Sequence, residues 1–221
     1  MSTLFVIIYT VLKMLMRGLI VLPEKKYHHG DLKLALIEAG ISLLNREGYE
    51  AFSLRKVARE CGVSQTAPYR HFSDKDELIN AMIMHIMQQF NQSLEQAARE
   101  YPDNPKAQIS AMGMAYIRFF VNNPDYLRLI FLNKKPYSQL NMSDCPEYKA
   151  PDGHPFATFC STLERYSEYT QDSGMDKDQL MLYCWGLVHG IAILIVNNEI
   201  PYHKDYMKVA EQLLCNPKFF G

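Results

Sequence analysis

The sequence has 221 residues, of which 48% are hydrophobic, and its formal net charge is −1. A chain of this length can form one large domain or two small ones around a substantial apolar core. The near-neutral charge excludes the strongly basic composition of a protein that binds nucleic acid regardless of sequence, so any nucleic-acid binding would have to depend on a local patch. The five cysteines include no Cys-x-x-Cys pair, which indicates thiols in a reducing compartment, and we expect a cytoplasmic protein.

Residues 1–24 form an apolar extension that is interrupted by Lys13 and Arg17. A membrane-spanning helix needs about 20 residues with few charges. Three interpretations stay open: translation begins later, near Met14 or Met16; the segment is a helix that packs on the body; or it is a membrane anchor. We favour the first interpretation and expect no membrane partner.

The following segment predicts a three-helix unit. Apolar residues at helical spacing predict a first helix over 29–47. Ser53 is suited to cap a short second helix, and Gly62 fits the left-handed position after its end. Ser64 is expected to cap a third helix that carries residues 65–71. This spacing is typical of a helix-turn-helix, which places the first side chains of its second helix in a major groove.

A longer fourth helix is predicted to begin at the capping sequence 73–76 and to end near Glu100. Such a stiff element connects the N-terminal unit to the rest of the chain. A linker at 101–105 is followed by a predicted helix over 106–121 and a short helix that ends at about Asn133. After a long loop at 134–153, the pattern predicts helices over 155–171, 176–197 and 203–215.

The predicted helix over 176–197 is apolar almost all round between Trp185 and Val196. Such a helix must be covered on both sides, and we predict that a second copy of the chain covers one of them. The expected dimer interface comprises residues of the last two helices: Gly186, Gly190, Ile191, Leu194, Tyr206, Val209 and Leu213.

One set of residues stands at fixed spacing through the turn and into the next helix: Phe52, Ser53, Val57, Ala58, Gly62, Val63, Ser64, Tyr69, Arg70, His71, Phe72, Lys75 and Leu78. This set resembles the TetR/AcrR family of transcriptional regulators, and the resemblance extends from about His29 to about Met87. Pro68 departs from the commonest family pattern, but it removes one N–H at most, so we expect it to be tolerated. Further along, Trp185, His189 and Gly190 resemble the C-terminal regulatory domain of one TetR subfamily.

The resemblance implies an all-α protein with an N-terminal three-helix helix-turn-helix DNA-binding domain and a C-terminal helical ligand-binding and dimerisation domain. We assign the first domain to residues 25–87, with its motif at 53–72, and the second to residues 88–221. The implied function is sequence-specific transcriptional regulation by a homodimer, as a ligand-responsive repressor. The implied partners are a double-stranded DNA operator, a second copy and a small apolar effector. The alternatives are a membrane-tethered regulator and a helical adaptor that does not bind DNA.

The resemblance also assigns roles to residues. The expected base-reading residues are Gln65, Thr66 and Ala67, because glutamine can pair with adenine and a methyl group can contact thymine. The expected phosphate contacts are Ser53, Arg55, Tyr69, Arg70, His71 and Lys75. A basic rim around the motif adds Lys25, Lys26, His28, His29, Lys56 and Arg59.

Aromatic and polar residues of the body helices are the expected lining of an effector pocket. They are Tyr116, Phe119, Phe120, Tyr126, Phe156, Phe159, Trp185 and His189. The sequence carries no nucleophile elbow, P-loop, dinucleotide fingerprint or His-Glu-x-x-His motif. We therefore expect no enzymatic activity, no cofactor and no metal site.

Overall fold

The structure is a computed structural model that describes residues 29–132, 155–170, 175–199 and 205–215. All regular elements within these ranges are helical, which confirms the predicted all-α fold class. The apolar extension, the arm with Lys25, Lys26 and His28, and the loop over 134–153 lie outside the described residues.

The described elements follow one another in chain order: α1 (His29–Glu47), α2 (Leu54–Glu60), a 3-10 helix (Ala67–Arg70), α3 (Lys75–Arg99), α4 (Pro105–Asn122), α5 (Pro124–Leu127), a π-helical turn (Arg128–Leu132), α6 (Pro155–Thr170), α7 (Lys177–Val196) and α8 (Tyr206–Leu214). Contacts divide the chain into two units, Met1–Leu34 and Ala35–Gly221. In the first unit only the start of α1 is described. The domain boundary predicted near residue 87 falls within α3, inside the second unit, and stays a prediction.

Both ends of helix α2 are formed by the residues that the sequence predicts, Ser53 and Gly62. The Ser53 hydroxyl accepts a hydrogen bond from the Lys56 N–H at 3.3 Å. At the other end Gly62 has φ +66°, and the N–H of Val63 donates to the Ala58 carbonyl at 3.0 Å. This is the Schellman arrangement, in which a left-handed residue turns the chain sharply out of a helix.

The third predicted helix is present but shorter than the predicted 65–71, and its predicted cap at Ser64 is wrong. Residues 67–70 form a 3-10 helix rather than an α-helix, and the Ser64 side chain contacts the Thr66 hydroxyl at 3.2 Å instead of capping the backbone. Pro68 has no N–H to donate to the residue four positions back. The Ala67 N–H bonds instead to the Ser64 carbonyl, three positions back, at 3.0 Å. Proline is tolerated, as predicted, but it tightens the turn.

Helix α3 has the length that the sequence predicts and buries one continuous stripe. Its N-cap is Asp74, whose carboxylate accepts from the Glu77 N–H at 2.8 Å. The buried residues recur at three- and four-residue intervals: Leu78, Ile79, Met82, Ile83, Ile86, Phe90, Asn91, Leu94 and Ala97. One rigid element therefore extends from the helix-turn-helix to the C-terminal helices α4 to α8, which together form the body.

Helix α4 is the centre of the body, since it packs against α3, α6, α7 and α8. A hydrogen bond from the Ser110 hydroxyl to the Leu214 carbonyl, 3.0 Å long, ties α4 to α8. Gly113 lies in the same region, and a Cβ added there would lie 3.0 Å from Leu214 Cδ1 and 3.3 Å from Val188 Cγ1. The glycine therefore lets α7 and α8 approach α4 closely.

Candidate nucleic-acid interface and ligand cavity

The three residues predicted to read bases differ in exposure. Gln65 and Thr66 are exposed, whereas Ala67 is half-buried and the adjacent Pro68 is buried. The buried proline anchors the 3-10 helix, while the turn before it faces solvent. Gln65 and Thr66 therefore present their side chains to solvent, with the Thr66 hydroxyl in contact with Ser64.

The predicted phosphate contacts surround this turn. Arg55 and Arg70 are exposed, Tyr69 is 50% exposed and His71 is half-buried. Phe72 is only 2% exposed, in keeping with a packing role. The Ser53 hydroxyl is already engaged as a helix cap, but it retains its own donor for a phosphate oxygen.

The basic residues near the motif fall into two groups. Lys56 pairs with Glu47 at 2.6 Å, and Arg46 pairs with Glu60 at 2.8 Å. The remaining group has no ion pair with any residue in the described part of the chain and comprises Arg55, Arg59 and Arg70. Lys56, which the sequence places in the phosphate-facing rim, donates a hydrogen bond to Glu47 at the end of α1, and this bond lowers the pKa of the Glu47 carboxyl.

Lys75 is positioned by an aromatic ring at the start of α3. Its ammonium lies 3.8 Å from the centroid of the Tyr49 ring and 3.4 Å from the Tyr49 carbonyl oxygen. The side chain is half-buried, so its position is defined before any DNA is bound.

The body contains a connected aromatic cluster. At its centre the Tyr116 hydroxyl lies 2.7 Å from His189 Nδ1, and the Trp185 ring stacks on the His189 ring at 6.3 Å. Burial raises the pKa of Tyr116 and lowers the pKa of His189, so at neutral pH both groups are uncharged. The pair can therefore exchange hydrogen bonds without introducing charge into the apolar interior.

A cavity of about 30 Å³ lies beside this pair. Of the predicted pocket residues, Tyr116, Phe159 and Trp185 line it. The others do not line the cavity, although they join the cluster or its edge: Phe119, Phe120, Tyr126, Phe156 and His189. The volume suffices for about one or two water molecules, so a larger ligand requires side chains to move apart.

Sequence reasoning missed two aromatic residues of this cluster. Phe90 of α3 lines the cavity and lies 5.2 Å from the Tyr116 ring. Phe131, in the π-helical turn, lies 4.7 Å from the His189 ring. The four-residue spacing of Phe90 from Ile86 and Leu94 marks it as buried, but only the packing of α3 on α4 places it beside the cavity.

Tyr126 belongs to a different contact. Its hydroxyl donates to the Glu38 carboxylate at 3.3 Å, and His85 Nε2 lies 2.7 Å from the same carboxylate. Burial and the Glu38 charge raise the pKa of Tyr126 to about 12. Glu38 therefore joins α1, α3 and α5 through one carboxylate.

Helix α7 buries one side and leaves the other open. The buried residues are Leu180, Cys184, Val188 and Ala192. On the opposite side Leu182 is 72% exposed, and nothing within 4 Å would meet a Cβ added at Gly186 or Gly190. By length and composition α7 is the one helix among the described residues that could cross a membrane, with a mean hydropathy of 1.9.

The remaining residues of the predicted dimer interface are all half-buried: Ile191, Leu194, Tyr206, Val209 and Leu213.

Comparisons with known proteins account for both parts of the chain. Residues 36–82 match the family of bacterial regulatory proteins of the TetR type, and residues 109–215 match a tetracyclin repressor-like C-terminal domain. The chain belongs to the TetR family. The second match includes all of α7, which is therefore a helix of a TetR-type C-terminal domain.

Individual proteins are similar to this chain in sequence or in fold. An uncharacterised HTH-type transcriptional regulator from Haemophilus influenzae is 31% identical over 136 residues, which are 61% of this chain and 66% of that protein. A protein of unknown function from Rhodococcus sp. RHA1 is 25% identical, with a TM-score of 0.62 over 89% of this chain and 97% of its own. A TetR family transcription regulator from Marinobacter aquaeolei VT8 shares the fold, with a TM-score of 0.61 and 12% identity over 82% of this chain and 92% of its own.

The TetR assignment makes the chain a transcriptional regulator rather than an enzyme. The subfamily resemblance at Trp185, His189 and Gly190 stays a prediction.

Proposed function

We propose that the chain binds operator DNA as a homodimer and releases it when a small apolar molecule occupies the body. The observation that carries this proposal is the exposed turn at Gln65 and Thr66, flanked by Arg55, Arg59 and Arg70, whose charges no described carboxylate neutralises. Exposed polar side chains and free positive charges are what base reading and phosphate binding require.

In this proposal Gln65, Thr66 and Ala67 contact base edges in a major groove. The glutamine amide has the donor and the acceptor that adenine presents as partners. Lys75, with Arg70 and the other flanking residues, holds the phosphates and fixes the register. The 3-10 geometry after Thr66 restricts direct reading to this short turn.

Selection of bound duplexes from a random library tests DNA binding and yields the operator. Gln65→Ala is expected to lose about 1–3 kcal/mol of discrimination between the selected duplex and an unrelated one. Lys75→Ala is expected to weaken binding to both duplexes alike, since phosphates carry no sequence. Gln88→Ala and Lys106→Ala, which alter a glutamine of α3 and a lysine of α4, are the matched controls.

The absence of any enriched duplex, together with binding that does not depend on salt, would favour the adaptor instead of a DNA-binding regulator.

The proposed dimer forms through the open face of α7 and the neighbouring face of α8. Apolar residues without cover in water favour association. Two-fold symmetry would present two copies of the reading turn to half-sites about 34–36 Å apart.

The proposed effector site is the cavity between α3, α4 and α7. Both Phe90 and Leu94 of α3 line it, while Lys75 begins the same helix. A molecule that enlarges the cavity would displace α3 and, with it, the phosphate-binding Lys75 at the start of this helix. It shifts DNA affinity only by its differential binding to the two conformations. Repression and a cytoplasmic location complete the proposal, as typical properties of the family.

A further inference from the structure

Tyr49 lies in the turn between α1 and α2, where its two ends are held by different elements. Its hydroxyl donates to Asp76 Oδ1 at 2.7 Å, in the first turn of α3. Its carbonyl accepts from the Phe52 N–H at 3.3 Å, within the turn itself. The preceding Gly48 has φ +77°, which directs the chain away from α1 at this point. The ring therefore bridges the α1–α2 turn and the start of α3.

The Lys75 ammonium rests on this ring, 3.8 Å from its centroid, and points one N–H at the Tyr49 carbonyl oxygen 3.4 Å away. A cation above an aromatic face is attracted by the ring quadrupole, whose negative side faces the cation. A lysine ammonium has three N–H donors, so two remain for other acceptors. The contact thus fixes the direction of the charge without using all its donors.

The acidic residues around Lys75 have partners of their own. Asp74 accepts from the Glu77 N–H, and Glu77 accepts from the Ser73 N–H at 2.6 Å. Asp76 accepts from the Tyr49 hydroxyl. In the described part of the chain the polar contacts of Lys75 are with Tyr49. Tyr49 therefore holds the Asp76 carboxylate through its hydroxyl and the Lys75 ammonium through its ring and carbonyl.

We propose that Tyr49 is a positioning residue that holds Lys75 ready to bind a DNA phosphate. This inference rests on the phosphate role proposed above for Lys75. A free lysine loses rotamer freedom when it binds a phosphate, and a side chain that is already held loses less. Removing the ring is therefore expected to weaken DNA binding by roughly two- to fivefold, which is the strength of one exposed cation–π contact.

A double-mutant cycle on full-length protein and a labelled duplex of mixed sequence tests the inference. Tyr49→Leu is expected to weaken binding two- to fivefold in the wild-type background and to have no effect in the Lys75→Ala background. The salt dependence separates the two roles. Lys75→Ala is expected to reduce the slope of log K against log salt by about 0.9, while Tyr49→Leu leaves it unchanged because the charge remains.

Thermal unfolding decides which variants enter the cycle, and Tyr49→Met replaces Tyr49→Leu if the leucine variant is unfolded. The matched control is Tyr101→Leu, which alters another turn tyrosine, 43% exposed, between α3 and α4. Equal losses from Tyr49→Leu with and without Lys75 would make the tyrosine merely structural and overturn the inference. If the Lys75→Ala variant binds the duplex as tightly as wild type, Lys75 does not contact a phosphate. The proposed phosphate role of Lys75 is then wrong, and with it the positioning role of Tyr49.

Discussion

Asp74 shows how a single side chain contributes to the proposed DNA interface, because it caps the helix whose first residue is Lys75. The hydrogen bond from the Glu77 N–H, assisted by the Ser73 hydroxyl at 3.2 Å, holds the pKa of Asp74 below its ordinary value of 3.8. The unfolded state therefore binds a proton more readily than the folded state. The resulting stabilisation is fully present above pH 3.8 and is lost as the pH falls through the lower folded-state pKa.

Asp74→Asn separates capping from titration, because asparagine caps a helix about as well as aspartate but carries no titratable proton. The free energy of unfolding of wild type relative to the variant is expected to decrease between about pH 5 and about pH 3. Urea denaturation across this range measures the difference, and Asp74→Ser, a second cap that does not titrate, is expected to give the same trend. A difference that stays constant with pH would mean that the carboxylate is not coupled to folding.

At the scale of the element, α4 determines how much room the body offers a ligand. The cavity beside it measures about 30 Å³, and Gly113 forms part of its wall. A methyl group at Gly113 would meet Leu214 Cδ1 at 3.0 Å, where the end of a flexible side chain can yield. Alanine has a helix propensity about 1 kcal/mol more favourable than glycine, which stabilises the fold, whereas the tight contact with Leu214 destabilises it.

Gly113→Ala is therefore expected to change the free energy of unfolding by less than about 2 kcal/mol while it fills the cavity. Binding of small apolar alcohols is expected to weaken about fourfold, the effect of one methylene group of buried surface. Trp185 is the only tryptophan of the sequence and lines the cavity, so its fluorescence reports binding directly. Ala111→Val adds volume to the same helix outside the cavity lining and is expected to bind as wild type. If Gly113→Ala binds the alcohols with unchanged affinity, the effector site is not this cavity.

The elements also differ in how far the sequence predicts them. Local chemistry determines the ends of helices, so Ser53, Gly62 and the start of α3 are where the pattern expects them. Pro68 shows what the spacing of apolar residues cannot predict, because its missing N–H changes the type of helix and not the order of the side chains. The sequence predicts side chains directed outward at Gln65 and Thr66, and both are exposed in the structure. It does not predict the 3-10 geometry that follows them, and their base-reading role stays a prediction.

Contacts between elements are the part of the site that the sequence does not predict. The pairing of Lys56 with Glu47 depends on how α2 crosses the end of α1. The place of Phe90 at the cavity depends on how α3 packs on α4. A stripe of apolar residues shows that a helix has a buried face but does not identify the neighbouring helix.

At the scale of the whole molecule, the open face of α7 requires an explanation. This largely apolar helix is covered by α4 and α6 on one side, while Leu182, Gly186 and Gly190 face away from the buried residues. The glycines have no neighbour within 4 Å that a Cβ would meet. In the proposed dimer a second copy would approach the helix backbone closely at these glycines, which would offset the lower helix propensity of glycine.

Leu194→Glu tests this face together with its consequence for DNA. In a monomer the half-buried side chain at this position can turn its carboxylate to water, whereas in the proposed dimer the charge would be buried without a partner. Sedimentation is expected to give twice the 25.6 kDa chain mass for wild type and the single chain mass for the variant.

Since linked half-sites are bound more tightly than separate ones, the Leu194→Glu variant is also expected to lose affinity for a duplex with two half-sites but to keep its affinity for a single half-site. Gln212→Glu, an equal charge change on the exposed side of α8, is expected to remain dimeric. A Leu194→Glu protein that still sediments as the wild-type dimer would show that the pairing surface lies elsewhere on the chain.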